Sequence, residues 1–150
     1  MDNINKTTAA WDFTTVALKA EIARSADETW SVVGNFSDTR KFLPVINKMI
    51  SGIGGLGSIR QIGEEIFEVL VGIGRHSYTY AQVAGPMAPY QYHGCIVVEE
   101  TGESTCRVIY TLSYNEALLD EETKGQERER ISKRFQGAVD AMKKAVENVS

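Results

Sequence analysis

The sequence predicts an α+β fold in which a curved antiparallel sheet wraps around one long carboxy-terminal helix. Three observations predict it: strand-like segments follow one another from about residue 47 to residue 114, only short turns separate them, and a helical pattern fills residues 120–148. Strands joined by short turns pair antiparallel, because parallel neighbours need a crossover of a dozen residues or more. The long helix is the only predicted element large enough to cover the apolar face of the sheet. A curved sheet that grips one helix leaves a cavity between them.

The chain begins with a predicted arm and a predicted strand. Residues 1–15 are expected to be disordered or loosely attached, because this polar stretch shows no hydrophobic period. Residues 16–24 (VALKAEIAR) alternate apolar and charged side chains, as a half-buried strand does. We therefore expect a single domain over residues 16–149, and a chain of this size buries roughly 70% of its extended surface on folding.

Two short helices are predicted after the first strand. Ser25 or Asp27 can cap the first of them, because short polar side chains accept hydrogen bonds from the free backbone N–H groups of a first helical turn. Ser37 or Asp38 can cap the second, which we expect to end at Pro44, since proline breaks the helical hydrogen-bond ladder.

Six further strands and the long helix complete the predicted order. Turn residues separate the strand-like segments, which lie at about 47–53, 58–63, 65–71, 75–84, 90–99 and 105–114. In the last segment, apolar residues recur at steps of three and four, which is typical of a helix with one buried face: Ile131, Phe135, Ala138, Met142 and Val146. Its 28 or so residues would span roughly 40 Å.

Composition excludes several classes of protein. The chain has 150 residues, 43% of them hydrophobic, and 16 basic against 20 acidic residues give a net charge of −4. An acidic chain has no general electrostatic reason to bind nucleic acid or an anionic membrane surface. No apolar run approaches the ~20 residues that span a bilayer, so we expect no integral membrane association.

Cysteine usage and the amino-terminal residues favour a cytoplasmic location. The first residues, MDNINKTTAAWDF, lack the basic and apolar regions of a secretory signal, so none is expected. Two cysteines, Cys95 and Cys106, rule out a disulfide framework and are expected to be small buried hydrophobes. No histidine or cysteine lies near them at zinc-binding spacing, so no metal is implied.

A glycine-rich motif is expected to be structural. Residues 52–57 (GIGGLG) spell G-x-G-x-x-G, but a dinucleotide site needs this motif between a strand and a helix. The next residues, SIRQIGEE, have the pattern of another strand. We therefore predict a flexible glycine hairpin and no cofactor.

A charged pair is predicted on the hairpin around Gly63. With a three-residue tip, Ile62 faces Ile66 and Arg60 faces Glu68. Alternate side chains of a strand point to the same face, so all four share one face.

Four tyrosines follow the same rule on the next two strands. Tyr78 shares a face with Tyr80, and Tyr90 shares one with Tyr92. A tip centred on Gly85 would set Tyr80 opposite Tyr90 and Tyr78 opposite Tyr92.

Two interpretations of these residues remain open on this basis. Arg60 and Glu68 could form a surface pair worth ~0–1 kcal/mol, with the tyrosines on the outer face of the sheet. Alternatively, these residues face the cavity. An unpaired charge is costly there, so Arg60 and Glu68 would pair with each other or with a polar ligand.

Five segments resemble the polyketide cyclase/dehydrase group of the START/Bet v 1-like (SRPBCC) superfamily. The resemblance runs from about residue 16 to residue 149 and is carried by ARSADETWSVVGNFSD, LGSIRQI, FEVL, HSYTYAQVAGPMAPYQYHG and FQGAVDAMKKAVE. It implies the helix-grip fold: a seven-stranded antiparallel sheet, two short helices and a long carboxy-terminal helix around an apolar cavity. Members of the family include ligand carriers, hormone receptors, aromatic cyclases, lyases and isomerases.

The resemblance also implies site residues. In lyase-like members the arginine after G-x-[VI], the acid of the E-x-L strand and the tyrosines of Y-x-Y and the following strand line the pocket. These positions match Arg60, Glu68, Tyr78, Tyr80 and Tyr92 here. The stretch between Glu68 and Tyr78 is shorter than in the plant enzymes, and either Tyr78 or Tyr80 could act together with Tyr92.

The predicted function is catalysis on a hydrophobic or aromatic small molecule bound in the cavity. The expected enzyme is a cofactor-independent lyase, cyclase or isomerase, either monomer or homodimer, and the alternative is a non-catalytic carrier or sensor of a lipid, quinone or polyketide. Glu68 would transfer the proton, tyrosines would stabilise an oxyanion, and Arg60 would hold Glu68 or a substrate oxygen. The cavity lining is expected to include Trp30 or Phe36, Tyr110 or Leu112, and Phe135 or Met142.

Overall fold

The structure confirms the predicted architecture of a curved sheet and a long helix. It is a computed structural model that describes residues 11–43, 45 and 47–148. Its elements are β1 Phe13–Ile22, α1 Ala26–Val33, β2 Asn47–Ser51, β3 Ile59–Ile62, β4 Ile66–Gly74, β5 Ser77–Ala84, a 3₁₀-helix at Ala88–Tyr90, β6 His93–Gly102, β7 Thr105–Asn115 and α2 Glu121–Glu147.

All seven strands form one antiparallel sheet. Their spatial order is β1-β7-β6-β5-β4-β3-β2, so the chain runs as a meander from β2 to β7 and β1 pairs with β7 at one edge. Irregular register at three of the strand pairs marks β-bulges, which increase the local bend of a strand. The helix α2 packs against β1, β7 and α1, and this packing forms the core.

The caps of both helices are polar side chains. Ser25, rather than Asp27, caps α1, because its hydroxyl accepts a hydrogen bond from the Glu28 backbone N–H at 3.1 Å. Asp120 caps α2 and accepts from the Thr123 backbone N–H at 2.8 Å. The buried face of α2 includes every apolar residue that the predicted period assigned to it.

The segment predicted as a second short helix forms turns instead. One turn closes where the Leu43 backbone N–H donates to the Thr39 carbonyl at 2.8 Å. The Asp38 carboxylate accepts from the backbone N–H of Arg40 at 3.0 Å and from its guanidinium at 2.8 Å. These local bonds compete with helix formation, so the prediction was wrong for this segment.

The sheet begins earlier than the sequence pattern predicts. β1 starts at Phe13, and the Asp12 backbone N–H donates to the Asn115 side chain at 2.9 Å. Residues 13–15 of the predicted arm therefore belong to the sheet, whereas residues 1–10 of that arm lie outside the described residues.

The glycine-rich motif forms the connection between β2 and β3, as predicted. Gly52, Gly54 and Gly57 have φ angles of 86°, 101° and 83°, which other residues rarely adopt. Cys106 is buried as predicted, and Cys95 is half-buried. Within the described ranges, the helices are too short or too polar to cross a membrane.

Candidate functional site

Arg60 and Glu68 form a buried ion pair on neighbouring strands. The predicted hairpin register is confirmed: Arg60 lies opposite Glu68 and Ile62 opposite Ile66, and Gly63 turns the chain with a φ of 63°. The two charged residues are only 1% and 6% exposed. Both Nε and Nη2 of Arg60 bind Glu68 Oε1, at 3.0 and 2.9 Å. The surface interpretation of this pair is therefore excluded.

The Arg60 guanidinium is held from several sides. Its Nη1 donates to the Phe36 carbonyl at 3.0 Å and to the Tyr78 hydroxyl at 3.4 Å. The guanidinium carbon lies 4.3 Å from the ring centroid of Phe36 and 4.8 Å from that of Tyr80. Burial by itself lowers the pKa of Arg60, but the surrounding phenols and Glu68 outweigh it, so the group stays cationic.

One carboxylate oxygen of Glu68 takes no part in the hydrogen bonds with Arg60. Arg60 binds Oε1, and among the described residues none donates a hydrogen bond to Oε2. Burial raises the pKa of Glu68 above its ordinary value, and the charge and hydrogen bond of Arg60 only partly offset the rise. A raised pKa brings the carboxyl closer to neutral pH, where proton transfer in either direction is practicable.

The register of the tyrosine strands differs from the predicted one. A tip at Gly85 would pair Tyr80 with Tyr90, but Tyr80 lies opposite Gly94, four residues further along. The cause is the connection itself: two prolines, which have no backbone N–H for a strand ladder, lie in a segment that includes the 3₁₀-helix Ala88–Tyr90. Because the shift is even, the residues of β5 keep the predicted face. Tyr90, which was predicted to pair with Tyr80, lies in the 3₁₀-helix instead, and Tyr92 lies just before β6.

Three tyrosine hydroxyls form a buried hydrogen-bond network. Tyr80 Oη lies 2.6 Å from Tyr110 Oη and 3.1 Å from Tyr92 Oη. Three hydroxyls carry three protons, and two internal hydrogen bonds use two of them. In every assignment of donors, one proton of the network remains to donate to a ligand oxygen.

Burial keeps these phenols protonated. It raises the pKa of Tyr80 and of Tyr110 well above the ordinary value of a tyrosine, and that of Tyr92 as well. At neutral pH the network is therefore a neutral hydrogen-bond donor rather than a phenolate.

These polar groups line one cavity of about 140 Å³ between the sheet and α2. One wall carries the polar side chains of Arg60, Glu68, Tyr80, Tyr92 and Tyr110. Much of the remaining lining is apolar and comes from strand, loop and helix residues: Leu43, Ile62, Ile66, Met87, Ile131 and Phe135. The cavity thus combines an acid, a cation and phenols with an apolar body.

The structure does not bring all of the predicted site residues to this cavity. Trp30, Phe36 and Tyr78 line a second cavity of about 310 Å³ beside the glycine loop. Leu112 and Met142 lie in the hydrophobic core, where both are 0% exposed.

Arg60 contacts the linings of both cavities. Its guanidinium lies against the rings of Phe36 and Tyr78, which line the second cavity, and against the ring of Tyr80, which lines the first. Tyr78 therefore contacts Arg60 from the side of the second cavity and does not line the first.

Three polar residues of the lining were not predicted. Charged runs usually form the solvent-exposed face of a helix, but Arg130 and Arg134 of the run KGQERERISKR in α2 line the cavity. The signal was present for Arg134, which follows Ile131 by three residues and so flanks the apolar stripe. Gln82 is also buried, and its Oε1 accepts a hydrogen bond from the Met87 backbone N–H at 2.8 Å.

Across residues 11–43, 45 and 47–148, no group of three or more histidine, cysteine, aspartate or glutamate side chains is arranged to hold a metal ion.

Solved structures with the same fold come from plants and bacteria. Norcoclaurine synthase from Thalictrum flavum, in complex with dopamine and hydroxybenzaldehyde, is 24% identical, with 98% of this chain and 93% of that chain covered at a TM-score of 0.73. A Thermobifida fusca protein is 21% identical over 88% of this chain and 92% of that chain at 0.78. An uncharacterized Bacillus thuringiensis protein is 21% identical over 90% of this chain and 100% of that chain at 0.74. These likenesses show the fold.

Sequence comparison assigns the family. The comparison with curated proteins returns no match to this chain. The family model described as "Polyketide cyclase / dehydrase and lipid transport" matches residues 14–147, nearly the whole chain. The matched range holds all seven strands but the first residue of β1, together with both helices. The protein therefore belongs to the polyketide cyclase/dehydrase and lipid transport family, with the Bet v 1-like helix-grip fold that its sequence predicted.

Proposed function

We propose that this protein is an enzyme of lyase, cyclase or isomerase type that acts on a small apolar or aromatic substrate by acid–base catalysis without a cofactor. One observation carries the proposal: a carboxylate with an oxygen that accepts no hydrogen bond from the described residues, and a phenol network with a spare proton, line the same cavity. An elimination or aldol-type closure requires a proton acceptor and a hydrogen-bond donor to the developing oxyanion, and this cavity has both.

Glu68 is the proposed proton-transfer group. Its Oε1 is anchored by Arg60, which leaves Oε2 to take a proton from the substrate and to return it later in the reaction. Positioned acid–base catalysis contributes ~10²–10⁴-fold to a rate. Arg60 positions this carboxylate and does not itself touch the substrate's reacting atoms in the proposal.

The phenols are the proposed oxyanion stabilisers. As the substrate loses a proton next to a carbonyl or nitro-like group, negative charge develops on an oxygen atom. The hydroxyl that does not donate within the network, whether of Tyr80, Tyr92 or Tyr110, would donate its proton to that oxygen. Tyr78 would act indirectly, through its hydrogen bond with Arg60.

The size of the cavity favours a small ring over a lipid. About 140 Å³ is close to the ~150 Å³ of an engineered protein cavity that holds benzene, and it is below the ~300–1,000 Å³ of drug-sized pockets. The norcoclaurine synthase structure holds dopamine and hydroxybenzaldehyde, each with a single aromatic ring. The alternative, a carrier or sensor, is favoured by the lipid transport in the family's description, and it predicts ligand binding without turnover.

The cellular setting is part of the proposal. We infer a cytoplasmic protein, because its two cysteines are unpaired. We further propose that it is a monomer or a homodimer. Its partner would be a hydrophobic or aromatic small molecule rather than a nucleic acid.

A base-sensitive probe tests the catalytic proposal. Benzisoxazole opens when a base removes its ring C–H proton: the N–O bond breaks and a cyanophenolate forms, which is detected by absorbance. We expect the wild-type protein to accelerate this reaction and Glu68→Gln, which keeps the shape, to lose ~10²-fold or more of the rate. Equal rates for the two proteins, here and on a panel of aromatic β-hydroxy ketones, would overturn the proposal and leave the carrier alternative.

A further inference from the structure

Two arginines of the long helix line the open side of the cavity. Arg130 and Arg134 are four residues apart, so they lie on one face of α2, and both are exposed while contributing to the lining. Long cationic side chains at such a position can reach over an entrance and bind the polar end of a bound molecule.

The two arginines differ in their ion pairing. Arg130 is neutralised by Glu127, whose two carboxylate oxygens accept from Nε at 3.1 Å and from Nη2 at 2.7 Å. Arg134 has neither an ion pair nor a hydrogen bond with any of the described residues, and its guanidinium lies 5.8 Å from the ring centroid of Phe135.

The other charges of the cavity are balanced. Deeper inside, Arg60 is paired with Glu68, so Arg134 is the one lining charge without a counter-charge among the described residues. An exposed arginine ordinarily needs only water, but this one lines a cavity and belongs to a chain whose net charge is −4.

Arg134 is also close enough to act on the polar wall. Its charge lowers the pKa of Glu68 and that of Tyr92, each against the larger raising effect of burial. The same positive field would favour an anionic group between the arginine and the wall.

We propose that the natural ligand is a small, single-ring carboxylate or equivalent anion, whose ring enters the cavity and whose charge is bound by Arg134 at the entrance. A guanidinium suits this role, because its planar donors match the two oxygens of a carboxylate. The inference rests on the proposed function in taking this cavity as the substrate site, and it adds the substrate class.

Calorimetric titration with paired probes tests the inference. At pH 7, benzoate, phenylacetate and 3-phenylpropionate would each be compared with the corresponding amide, which has nearly the same shape but no charge. We expect the best acid to bind the wild-type protein about tenfold or more tightly than its amide. Arg134→Gln should lower the ratio of acid affinity to amide affinity to about one.

A neighbouring charge provides the matched control. Lys133→Gln removes the same unit charge one residue away, from a side chain that pairs with Glu129 and is not part of the cavity lining. It should keep the preference for acids. Equal binding of acids and amides to the wild type, no binding of any probe, or equal losses in the two variants would overturn the inference.

These results are distinguishable from failure of the proposed function. Selectivity for acids without any turnover would overturn catalysis alone. Turnover of the neutral benzisoxazole that depends on Glu68, without selectivity for acids, would overturn the anion assignment alone.

Discussion

Gly94 lies directly opposite Tyr80 in the β5–β6 pairing, and the missing side chain leaves room for the Tyr80 ring. A Cβ atom at Gly94 would be 2.5 Å from both the hydroxyl oxygen and the Cζ atom of Tyr80. The Tyr80 hydroxyl is hydrogen-bonded to those of Tyr92 and Tyr110, so the space left by Gly94 allows the three hydroxyls to form their network. A glycine inside a strand often marks such a close approach.

Gly94→Ala should therefore displace Tyr80 and break the phenol network. We expect a loss of ~1–3 kcal/mol in the free energy of unfolding, as overpacking of a filled core usually costs, measured by urea denaturation. Gly137→Ala is the matched control, because nothing lies within 4 Å of a Cβ there and the site is inside α2. It should stabilise the protein by ~1 kcal/mol. Equal effects of the two substitutions would show that Gly94 does not make this space.

Tyr80→Phe should impair turnover more than Tyr92→Phe. Removing the Tyr80 hydroxyl breaks both hydrogen bonds of the network and leaves the buried Tyr110 hydroxyl without its 2.6 Å partner. Removing the Tyr92 hydroxyl breaks one bond and leaves Tyr80 bound to Tyr110. Steady-state rates on the benzisoxazole probe measure the difference, and a milder effect at Tyr80 would contradict the central role of its hydroxyl.

Arg60→Ala should destabilise the protein by ~3–5 kcal/mol at pH 7, because it leaves a buried carboxylate without its cation. Burial already raises the pKa of Glu68 in the folded protein, and removal of Arg60 raises it further. In the variant, the pKa of Glu68 is therefore higher in the folded protein than in the unfolded chain. Protonated Glu68 then favours the folded state: its contribution to stability is fully present below the unfolded pKa and is lost as pH rises through the folded pKa.

The deficit of Arg60→Ala relative to wild type should thus be smaller at pH 4 than at pH 7 in chemical denaturation. The double variant R60M/E68L is the control, because replacing both partners by apolar residues leaves no buried charge. Its deficit relative to wild type should be small at pH 7. A deficit of Arg60→Ala that does not change with pH would contradict the buried-carboxylate explanation.

The rate of proton abstraction should rise with pH through the pKa of Glu68. Because burial raises that pKa, we expect the midpoint to lie above the ordinary 4.5 of a glutamate. Initial rates on benzisoxazole between pH 4 and 8 give the profile. Glu68→Gln should flatten it, and a profile that persists in this variant would assign the base to another group.

Glu127→Gln should increase the affinity of the protein for benzoate. Glu127 holds Arg130 through two hydrogen bonds, and loss of its charge would release a second cation beside Arg134. Calorimetry at low and high salt measures the effect, which should shrink as salt screens the exposed charges. Unchanged affinity at low salt would show that Arg130 cannot reach the bound anion.

Local patterns in the sequence determined much of the fold and part of the site. Apolar periodicity predicted α2 and its buried face, and alternation predicted the strands of the meander. The three-residue tip at Gly63 predicted the pairing of Arg60 with Glu68, because a tight hairpin has one register.

Tertiary structure decided what longer connections left open. The β5–β6 register depends on how a segment with two prolines folds, and turn chemistry over that length allows several pairings. Asp38 satisfied local backbone groups, so the predicted second helix became turns. Neither outcome follows from hydrophobic period alone.

The composition of the cavity was also a tertiary property. The meeting of Tyr80 with Tyr110 requires three strands to lie side by side around Gly94, and the placement of Arg134 requires α2 to cross the sheet at one position. A sequence pattern can assign a side chain to a face. The pattern does not say which side chains from distant segments line the same cavity. That depends on how the sheet bends and where the helix packs, because contacts between residues far apart in the chain are set by packing.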